Sequence, residues 1–521
     1  MKKKIVACML VATMTAGLTA CGGGSDKDAD SATSVSGETK EVVIDGITYH
    51  KSEDLTDEEI TLTYITFDDQ TTVNLLAERF MEIYPNIKVE ASVPESGFQE
   101  TISSMIQAQE APDVIMYTDA EWALSNQLLL DITEYYENDE ESKEMASTIN
   151  DAGIGCFGTK NRYAVPFKFF PGIMYVDKAV CEKLGLTVPT NSWTWSEMIQ
   201  LIKDATKDGV DNLKYYGLGF YNRLDSYYGI ASSQEIVGEF GFNGKTFDLT
   251  NWAVGEQEFS DLKIQGYRAP SQSSADMEKW MGNWDDWCGA SNHVAVFSEA
   301  FWTYQNIWNL DTWKAENPNV KIIPLTIPAV SEEDAGAEHH TIANIDFGGV
   351  VNGTPYPREA YELMKFMSFG RDGWLTRCQI YKSGTVGADG TTPLKASSMP
   401  APITTNEEVW TAYKDMYCEG MDDELKGYWE EYFKTCMQPI PFGWVNIAGY
   451  WNFCNEYFNA IGIHDLVDSG KEKAAKYVDE GTRKANYYHA TAMLNYFGPE
   501  GYDVLSDEEI AEYEKIQSDN K

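Results

Sequence analysis

The chain lacks any long apolar run after its first twenty residues, and it has few basic side chains. Its 521 residues include 40 Lys and Arg against 82 Asp and Glu, for a formal net charge of −42. A membrane-spanning helix needs about 20 consecutive apolar residues, so we expect none beyond the amino-terminal segment. The negative field repels the phosphates of nucleic acid, which excludes nucleic acid as a partner.

Metal, redox and nucleotide motifs are missing as well. The nine cysteines form no CxxC pair, the six histidines are scattered, and no Walker A glycine loop is present. We therefore expect no bound metal, no cofactor and no ATP hydrolysis. Seven cysteines remain after Cys8 and Cys21, so they cannot all pair internally, and most are expected to be small buried side chains.

The amino-terminal segment is typical of an exported protein. Lysines at 2–4 precede an apolar stretch at 5–16 and the sequence Leu-Thr-Ala-Cys at 18–21. This tetrad resembles the bacterial lipobox, which implies cleavage after residue 20 and lipidation of Cys21. An ordinary cleaved signal with a chance cysteine is the alternative. With the lipid in place, the protein is tethered at the outer face of the cytoplasmic membrane.

A flexible leash follows the lipidated cysteine. The leash spans residues 21–56: Gly-Gly-Gly-Ser follows Cys21, and Asp, Ser, Thr and Ala continue to about residue 40, a composition that buries too little to fold. A short hairpin with Asp45-Gly46 as its turn interrupts this leash.

The folded part opens with alternating strands and helices. β-branched residues predict a strand at 60–66, helical spacing predicts a helix through Val73 and Phe80, and strand and helix alternate again to a third strand at 114–117. This order predicts a mostly parallel sheet with helices on both faces. Further strands are expected at 215–220, 293–298, 321–325 and 347–351. Capping boxes at Thr194/Glu197 and Ser506/Glu509 each begin a helix.

Several motifs, in order, resemble the extracellular solute-binding proteins of ABC importers, in particular the family that captures sugars. They are Ala-Pro-Asp-Val at 111–114, Tyr-Ala-Val-Pro at 163–166, Tyr-Val-Asp-Lys at 175–178, Thr-Trp-Ser-Glu at 194–197, the loop leading to Trp302, and Gly-Gly at 348–349 followed by a helix. Ser298 to Phe301 replace the glycine that usually precedes the loop's tryptophan. The long carboxyl-terminal half also exceeds that of smaller members.

The resemblance implies a two-lobed, periplasmic-binding-protein-like (type II) α/β fold with mixed, mostly parallel sheets, flanking helices and an extended helical carboxyl-terminal part. We assign residues 57–166 and 293–343 to the first lobe, 167–292 and 344–505 to the second, and 506–521 to a charged tail helix. The implied protein is a monomer and not an enzyme. It captures a carbohydrate, expected to be an oligosaccharide, and delivers it to ABC permease subunits, with the segment 168–172 near the hinge.

Ligand-binding candidates are sought where strands end, because ligands of open α/β sheets bind outside the carboxyl ends of the strands. Carboxylates can bridge sugar hydroxyls, and aromatic faces can cover the apolar patch of a sugar ring. The candidates are Asp68, Asp69, Asp119, Tyr221, Arg223, Trp284, Glu299, Trp302 and Trp444. Trp284 belongs to a dense group of tryptophans at 280–313, and Trp444 lies in the uncharged segment 435–455. Helix capping is the competing interpretation for Asp68, Asp69 and Asp119.

Two alternatives stay open at this point. The same fold could hold a polyamine or another cation in a negative, aromatic cleft. A surface glycoside hydrolase is the second, but adjacent acids such as Asp285 and Asp286 cannot lie on opposite sides of a glycosidic bond.

Overall fold

A computed structural model describes residues 38–95, 97–117, 120–150, 161–210, 213–219, 227–228, 239–269, 293–298, 300–330, 341–387, 389–391, 393–394, 399–437, 439–442, 447–496 and 505–521. The strands in these residues are β1 (Thr39–Ile44), β2 (Ile47–Ser52), β3 (Ile60–Ile65), β4 (Ile87–Ser92), β5 (Val114–Tyr117), β6 (Val165–Pro171), β7 (Met174–Asp177), β8 (Lys207–Val210), β9 (Leu213–Leu218), β10 (Val294–Ser298), β11 (Ile322–Leu325), β12 (Ile342–Val350) and β13 (Ile440–Phe442).

The α-helices of the same residues are α1 (Gln70–Ile83), α2 (Phe98–Gln107), α3 (Ala120–Ser125), α4 (Thr133–Asn138), α5 (Lys178–Leu184), α6 (Trp195–Ala205), α7 (Thr250–Ile264), α8 (Asp311–Glu316), α9 (Pro357–Met367), α10 (Arg371–Lys382), α11 (Glu407–Tyr417), α12 (Asp423–Thr435), α13 (Tyr450–Phe453), α14 (Asn459–Ile461), α15 (Ile463–Asp468), α16 (Val478–Tyr496) and α17 (Asp507–Asn520). Both predicted capping boxes are present, at the first turns of α6 and α17.

The first lobe is built on a six-stranded sheet. Its order is β13-β12-β5-β3-β4, with β6 paired to β12. β3 runs parallel to β4 and β5, as the alternating pattern predicts, whereas β12 runs antiparallel to β5 and β6. β12 spans residues 342–350, so it is longer than the predicted strand at 347–351.

The Ala-Pro-Asp-Val motif has a structural role in this sheet. The Asp113 carboxylate accepts hydrogen bonds from the backbone and hydroxyl of Thr63 on β3, at 2.8 and 2.9 Å, and from the Thr354 hydroxyl at 2.6 Å. One side chain thereby fixes the start of β5 against its neighbouring strand and against the turn after β12. A carboxylate suits this place because it accepts several hydrogen bonds at once.

The second lobe is built on a five-stranded sheet of order β11-β7-β10-β9-β8. The prediction that residues 293–343 belong to the first lobe is wrong for β10 and β11, because both pair with β7 in this sheet. The expectation of mostly parallel pairing is also wrong for this sheet, since only β9 and β10 are parallel. The two-lobed α/β fold itself is confirmed.

The carboxyl-terminal half divides between the lobes. β12, α9 and α10 belong to the first lobe, because α9 packs on β12 and α10 on α1, which corrects their predicted place in the second lobe. Helix α12 packs against β11 of the second sheet. Helices α13–α16 form a separate aromatic core with α7 and the segment before it, and α17 packs on α16.

The predicted hairpin β1–β2 packs on the first lobe, where β2 contacts helix α10. Its turn has positive φ at Asp45 and Gly46, which suits a tight two-residue hairpin loop. Tyr49 is fully buried there, and Arg371 donates a hydrogen bond to the Thr48 carbonyl at 3.0 Å. This hairpin is therefore packed on the folded part, although it lies inside the range predicted as leash.

A buried ion network lies beside this hairpin, and we call it the rear cluster. Its members are Asp54, Asp139, Glu141, Arg358, Glu362 and Lys365. The Lys365 ammonium lies 3.2 Å from Glu362 and 3.3 Å from Asp139. Burial alone would raise the pKa of Glu362, but Lys365 and Arg358 outweigh it and hold that pKa at about 2.

Three thiols of the described chain, those of Cys181, Cys378 and Cys436, are buried and free. Burial raises the pKa of Cys181 and of Cys378 to about 12, so these thiols pack as small apolar groups. No helix among the described residues has the length and apolar character that crossing a membrane requires.

Candidate functional site

The carboxyl ends of the strands of both sheets meet at the crossover between the lobes. The end of β5 pairs with β12 at Phe347, and the half of β12 that precedes this residue pairs with the second half of β6. β6 then passes through Gly172 into β7, whose start pairs with the end of β10. Side chains on β6, on β12 and directly after β3 and β10 therefore lie at the edge where such folds bind ligands.

Asp68, directly after β3, lies in a buried ion cluster. Its two carboxylate oxygens contact Lys168 Nζ at 2.8 Å and Arg377 Nη1 at 3.2 Å. All three side chains are buried. Burial alone would raise the pKa of Asp68, but the charges of Lys168 and Arg377 outweigh it and hold that pKa at about 2. Asp68 is therefore ionised, and its charge is compensated within the protein.

Asp346 completes what we call the floor cluster, which consists of Asp68, Lys168, Asp346 and Arg377. Asp346 is the register partner of Lys168 across the β6–β12 ladder, and it is only partly buried. Burial raises its pKa to about 6, although Lys168 opposes the shift, and the charge of Asp68 adds to it. Its carboxylate accepts no hydrogen bond from any described residue, so it is available to a hydroxyl donor.

Asp69 serves as a helix cap. Its carboxylate accepts a hydrogen bond from the Thr72 backbone at 3.0 Å and stabilises the first turn of α1. This is the capping interpretation that the sequence leaves open for the Asp68-Asp69 pair. Its neighbour Asp68 instead turns toward Lys168 and Arg377. A ligand contact by either residue stays a prediction.

Trp302 follows β10 of the second lobe, and its side chain contacts the crossover strand β6. Its ring packs edge-to-face on Phe170 of β6, with the ring centroids 5.0 Å apart, and it remains partly exposed. Phe170 is itself partly exposed and pairs in register with Asn344 on β12. The ring of Phe170, the amide of Asn344 and the carboxylate of Asp346 thus follow one another along the β6–β12 pair, and the ring of Trp302 packs on the first of them.

A second aromatic pair lies at the end of β3. Phe67 is 38% exposed, and its ring packs edge-to-face on Phe98 at 5.9 Å. Phe67 directly precedes Asp68, so its ring belongs to the first lobe, at the edge where the strands of the first sheet end.

Six predicted site residues lie outside the described part of the chain, and so does the lipidation site Cys21. They are Asp119, Tyr221, Arg223, Trp284, Glu299 and Trp444. Their roles stay predictions. Among the described residues, no group of three His, Cys, Asp or Glu side chains is arranged to hold a metal ion.

Five of the residues described above could not be found from the sequence. Arg377 reaches Asp68 from helix α10, 309 positions away. Asp346 and Asn344 lie on a strand whose first half was not predicted. The strand that carries Lys168 and Phe170 was expected near the hinge, but alternation along that apolar segment gave no sign of which side chains face the cleft.

Comparison with solved structures identifies relatives that share the fold. The sugar-binding protein MalE from Xanthomonas citri superposes with a TM-score of 0.59 at 11% identity, covering 85% of this chain and 100% of that one. An ABC substrate-binding protein from Listeria monocytogenes, in complex with cycloalternan, gives 0.55 at 17% identity, covering 82% and 98%. The cyclic α-maltosyl-1,6-maltose binding protein from Arthrobacter globiformis gives 0.56 at 15% identity, covering 82% and 98%.

Comparison with curated protein sequences gives no significant match. The sequence profile of one family does match, over residues 76–385, more than half of the chain. These residues include both sheets except β3 and β13, and they include every member of the floor cluster except Asp68. The chain therefore belongs to the family of bacterial extracellular solute-binding proteins.

Proposed function

We propose that this protein captures a carbohydrate, expected to be an oligosaccharide, between its two lobes and delivers it to an ABC permease. In this proposal Cys21 carries the lipid that tethers the protein to the outer face of the cytoplasmic membrane. The protein acts as a monomer and without catalysis. The observation that carries the proposal is the pairing of Trp302 on Phe170 beside Asn344 and Asp346, at the edge where both sheets end.

The chemistry of this edge fits a neutral polyol. A partly exposed aromatic face covers the C–H patch of a sugar ring, while an amide and a carboxylate bind its hydroxyls. The three relatives named above include a protein described as sugar-binding, one solved with cycloalternan and one described as binding cyclic maltosyl-maltose. Their likeness lies in the fold, and it supports a carbohydrate as the first ligand class to test.

The floor cluster speaks against the polyamine alternative. Its two carboxylates are accompanied by the buried cations Lys168 and Arg377, so these four residues carry no net negative charge when Asp346 is ionised. A polyamine would have to displace or approach these cations, and like charges in a partly buried site repel strongly.

The same contacts speak against hydrolysis. A glycoside hydrolase needs two carboxyl groups that face one glycosidic bond. Both oxygens of Asp68 are occupied, one by Lys168 and the other by Arg377, and its low pKa prevents it from donating a proton. Asp346 alone could not perform both steps.

A thermal-shift screen of the chain from Glu38, which keeps the hairpin, tests the proposal against mono- and oligosaccharides and polyamines. A ligand that binds only the folded state stabilises it by about 2.7 kcal/mol at a hundredfold excess over Kd. We expect a rise in Tm with one class of glycan. A rise with polyamines alone would favour a cationic cargo, and release of reducing sugar would favour hydrolysis.

Replacing Trp302 tests whether this edge is the binding site. With the glycan found in the screen, Trp302→Ala should raise Kd by about 10- to 100-fold, since a central aromatic contact is lost. Trp302→Phe should retain part of the affinity. Trp313→Phe, in the core on α8, is the matched control and should leave Kd unchanged in a calorimetric titration. Equal Kd values for Trp302→Ala and the control would place the ligand elsewhere.

A further inference from the structure

Two crossover segments meet at Gly172. This residue joins β6 of the first sheet to β7 of the second, and Thr341 begins the return into β12. The Gly172 backbone donates a hydrogen bond to the Ile342 carbonyl at 2.8 Å, and the Thr341 hydroxyl donates to the Gly172 carbonyl at 2.5 Å. A Cβ at position 172 would lie 2.2 Å from Ile342 Cγ1, so only glycine permits this approach.

A third segment reaches the same carbonyl from helix α12. The Tyr432 hydroxyl donates a hydrogen bond to the Gly172 carbonyl at 3.0 Å. At the end of the helix, the Thr435 carbonyl accepts a hydrogen bond from the Thr341 backbone, also at 3.0 Å. Because α12 packs both on β11 of the second sheet and on α11, which packs on α10 of the first lobe, this contact joins the carboxyl-terminal helices to the connection between the lobes.

The Tyr432 hydroxyl is distinguished from its neighbours by this bond. Tyr432 lies in a buried aromatic cluster with Tyr413, Tyr417, Trp429 and Phe433. The hydroxyls of Tyr413 and Tyr417 are also buried, yet neither has a hydrogen-bond partner in the part of the chain that is described. Tyrosine side chains therefore pack in this cluster without a hydrogen bond from the hydroxyl. The hydrogen bond of the Tyr432 hydroxyl instead stabilises the backbone of the crossover at Gly172.

The lobes also touch at a second place, where helix α16 meets helix α3. Helix α16 is fixed to the α7 side of the second lobe, because Asn486 forms two hydrogen bonds with the Phe247 backbone, at 2.8 and 3.0 Å. The same helix contacts α3, which follows β5 at the ligand edge of the first lobe. A change in the angle between the lobes must therefore alter this contact, and the connections between the lobes, of which the crossover at Gly172 is one, must accommodate it.

We propose that Tyr432 is a positioning residue for lobe closure, through which the carboxyl-terminal helices restrain the crossover at Gly172. The proposal rests on the proposed function, since it assumes that the lobes move when ligand binds. The Tyr432 hydroxyl binds the Gly172 carbonyl, where the segment that leaves β6 pairs with the segment that enters β12. Removing it leaves Thr341 as the remaining side-chain donor and lets this pairing open more often.

Hydrogen–deuterium exchange on the full chain without ligand tests the proposal, so its result does not depend on which solute binds. In Tyr432→Phe, the amides of peptides that cover Gly172 and Ile342 should exchange about 3- to 10-fold faster, the equivalent of about 0.6–1.4 kcal/mol for one lost hydrogen bond. Peptides from β3 and β10, in the sheet cores, should be unchanged.

Tyr413→Phe and Tyr417→Phe are matched controls, since each removes a buried hydroxyl with no described partner from the same cluster. They should leave exchange at the crossover unchanged. Equal exchange at Gly172 in Tyr432→Phe and the controls would overturn the proposal, and so would a uniform increase over the whole chain. If Tyr432→Phe does not fold, Thr341→Val removes the other donor to the same carbonyl and should produce the same local increase, whereas no increase would overturn the proposal.

Discussion

The floor cluster and the rear cluster both consist of buried acidic and basic side chains, but they differ in whether every carboxylate contacts a cation. In the rear cluster Lys365 contacts three carboxylates and Arg358 contacts two, and these contacts hold the hairpin side of the first lobe together. In the floor cluster Asp68 is held by two cations, but the carboxylate of Asp346 accepts no hydrogen bond from described residues and stays partly exposed.

The comparison shows that buried charge does not by itself identify a binding site. A closed network, in which every acid faces a base, contributes to stability or to specificity of the fold. A network that leaves one acceptor reachable at a ligand edge can also serve recognition. The two clusters should therefore respond differently to substitution, and the following variants test that difference.

The largest effect is expected from Lys365→Met in the rear cluster. It removes the shared cation from Asp139, Glu141 and Glu362, of which only Glu362 keeps a second cation, Arg358. We expect the free energy of unfolding to fall by about 3–5 kcal/mol. Chemical denaturation measures it. Lys434→Met is the control, since the Lys434–Glu431 pair is exposed and contributes less than about 0.5 kcal/mol. A loss of stability as small as that of the control would mean that the carboxylates of the rear cluster find other partners or solvent when Lys365 is removed.

A smaller effect on stability is expected from Asp68→Asn in the floor cluster. The amide oxygen can still accept one hydrogen bond, and Arg377 keeps its contact with the Tyr381 hydroxyl at 3.2 Å. We expect a loss of about 2–3 kcal/mol, accompanied by weaker ligand binding.

The neighbouring residue provides a matched control for this variant. Asp69→Asn keeps a good N-cap for α1 and should change stability by only a few tenths of a kcal/mol. Denaturation and titration of both variants separate the two roles. If Asp69→Asn weakened binding more than Asp68→Asn, the assignment of cap and cluster to these two residues would be contradicted.

Among the variants of the two clusters, the smallest effect on stability is expected from Asp346→Asn, and it depends on pH. The pKa of Asp346 is raised to about 6 in the folded protein, so the folded state favours the protonated acid. Its contribution is complete below about pH 4 and is lost as the pH rises through 6, on the order of 2 kcal/mol in total. The variant should remove this decline.

Unfolding measured at pH 4.5 and pH 7.5 tests this expectation as a difference between Asp346→Asn and the unchanged chain. The difference isolates Asp346 from other groups, such as Asp177, whose burial also raises its pKa to about 6. An equal loss of stability with pH in both proteins would mean that Asp346 is ionised without cost at the cleft floor.

Much of the first lobe could be predicted from the sequence because its signals are local. Alternation, helical spacing and caps act over a few residues, and they correctly predicted the hairpin, the strands from β3 to β5 and the first turns of α6 and α17. The assignment of β10 and β11 to a lobe was wrong, because strand pairing joins residues more than a hundred positions apart and leaves no local mark.

The sequence alone was enough to predict the family, the alternation of strands and helices, and the candidates that follow strand ends, such as Asp68 and Trp302. Three findings required the folded chain: Asp68 is neutralised by Lys168 and Arg377, Asp346 is the acceptor left available, and Tyr432 reaches the crossover. They required it because charge compensation and desolvation depend on distances in space. Propensity and periodicity depend on neighbours in the chain.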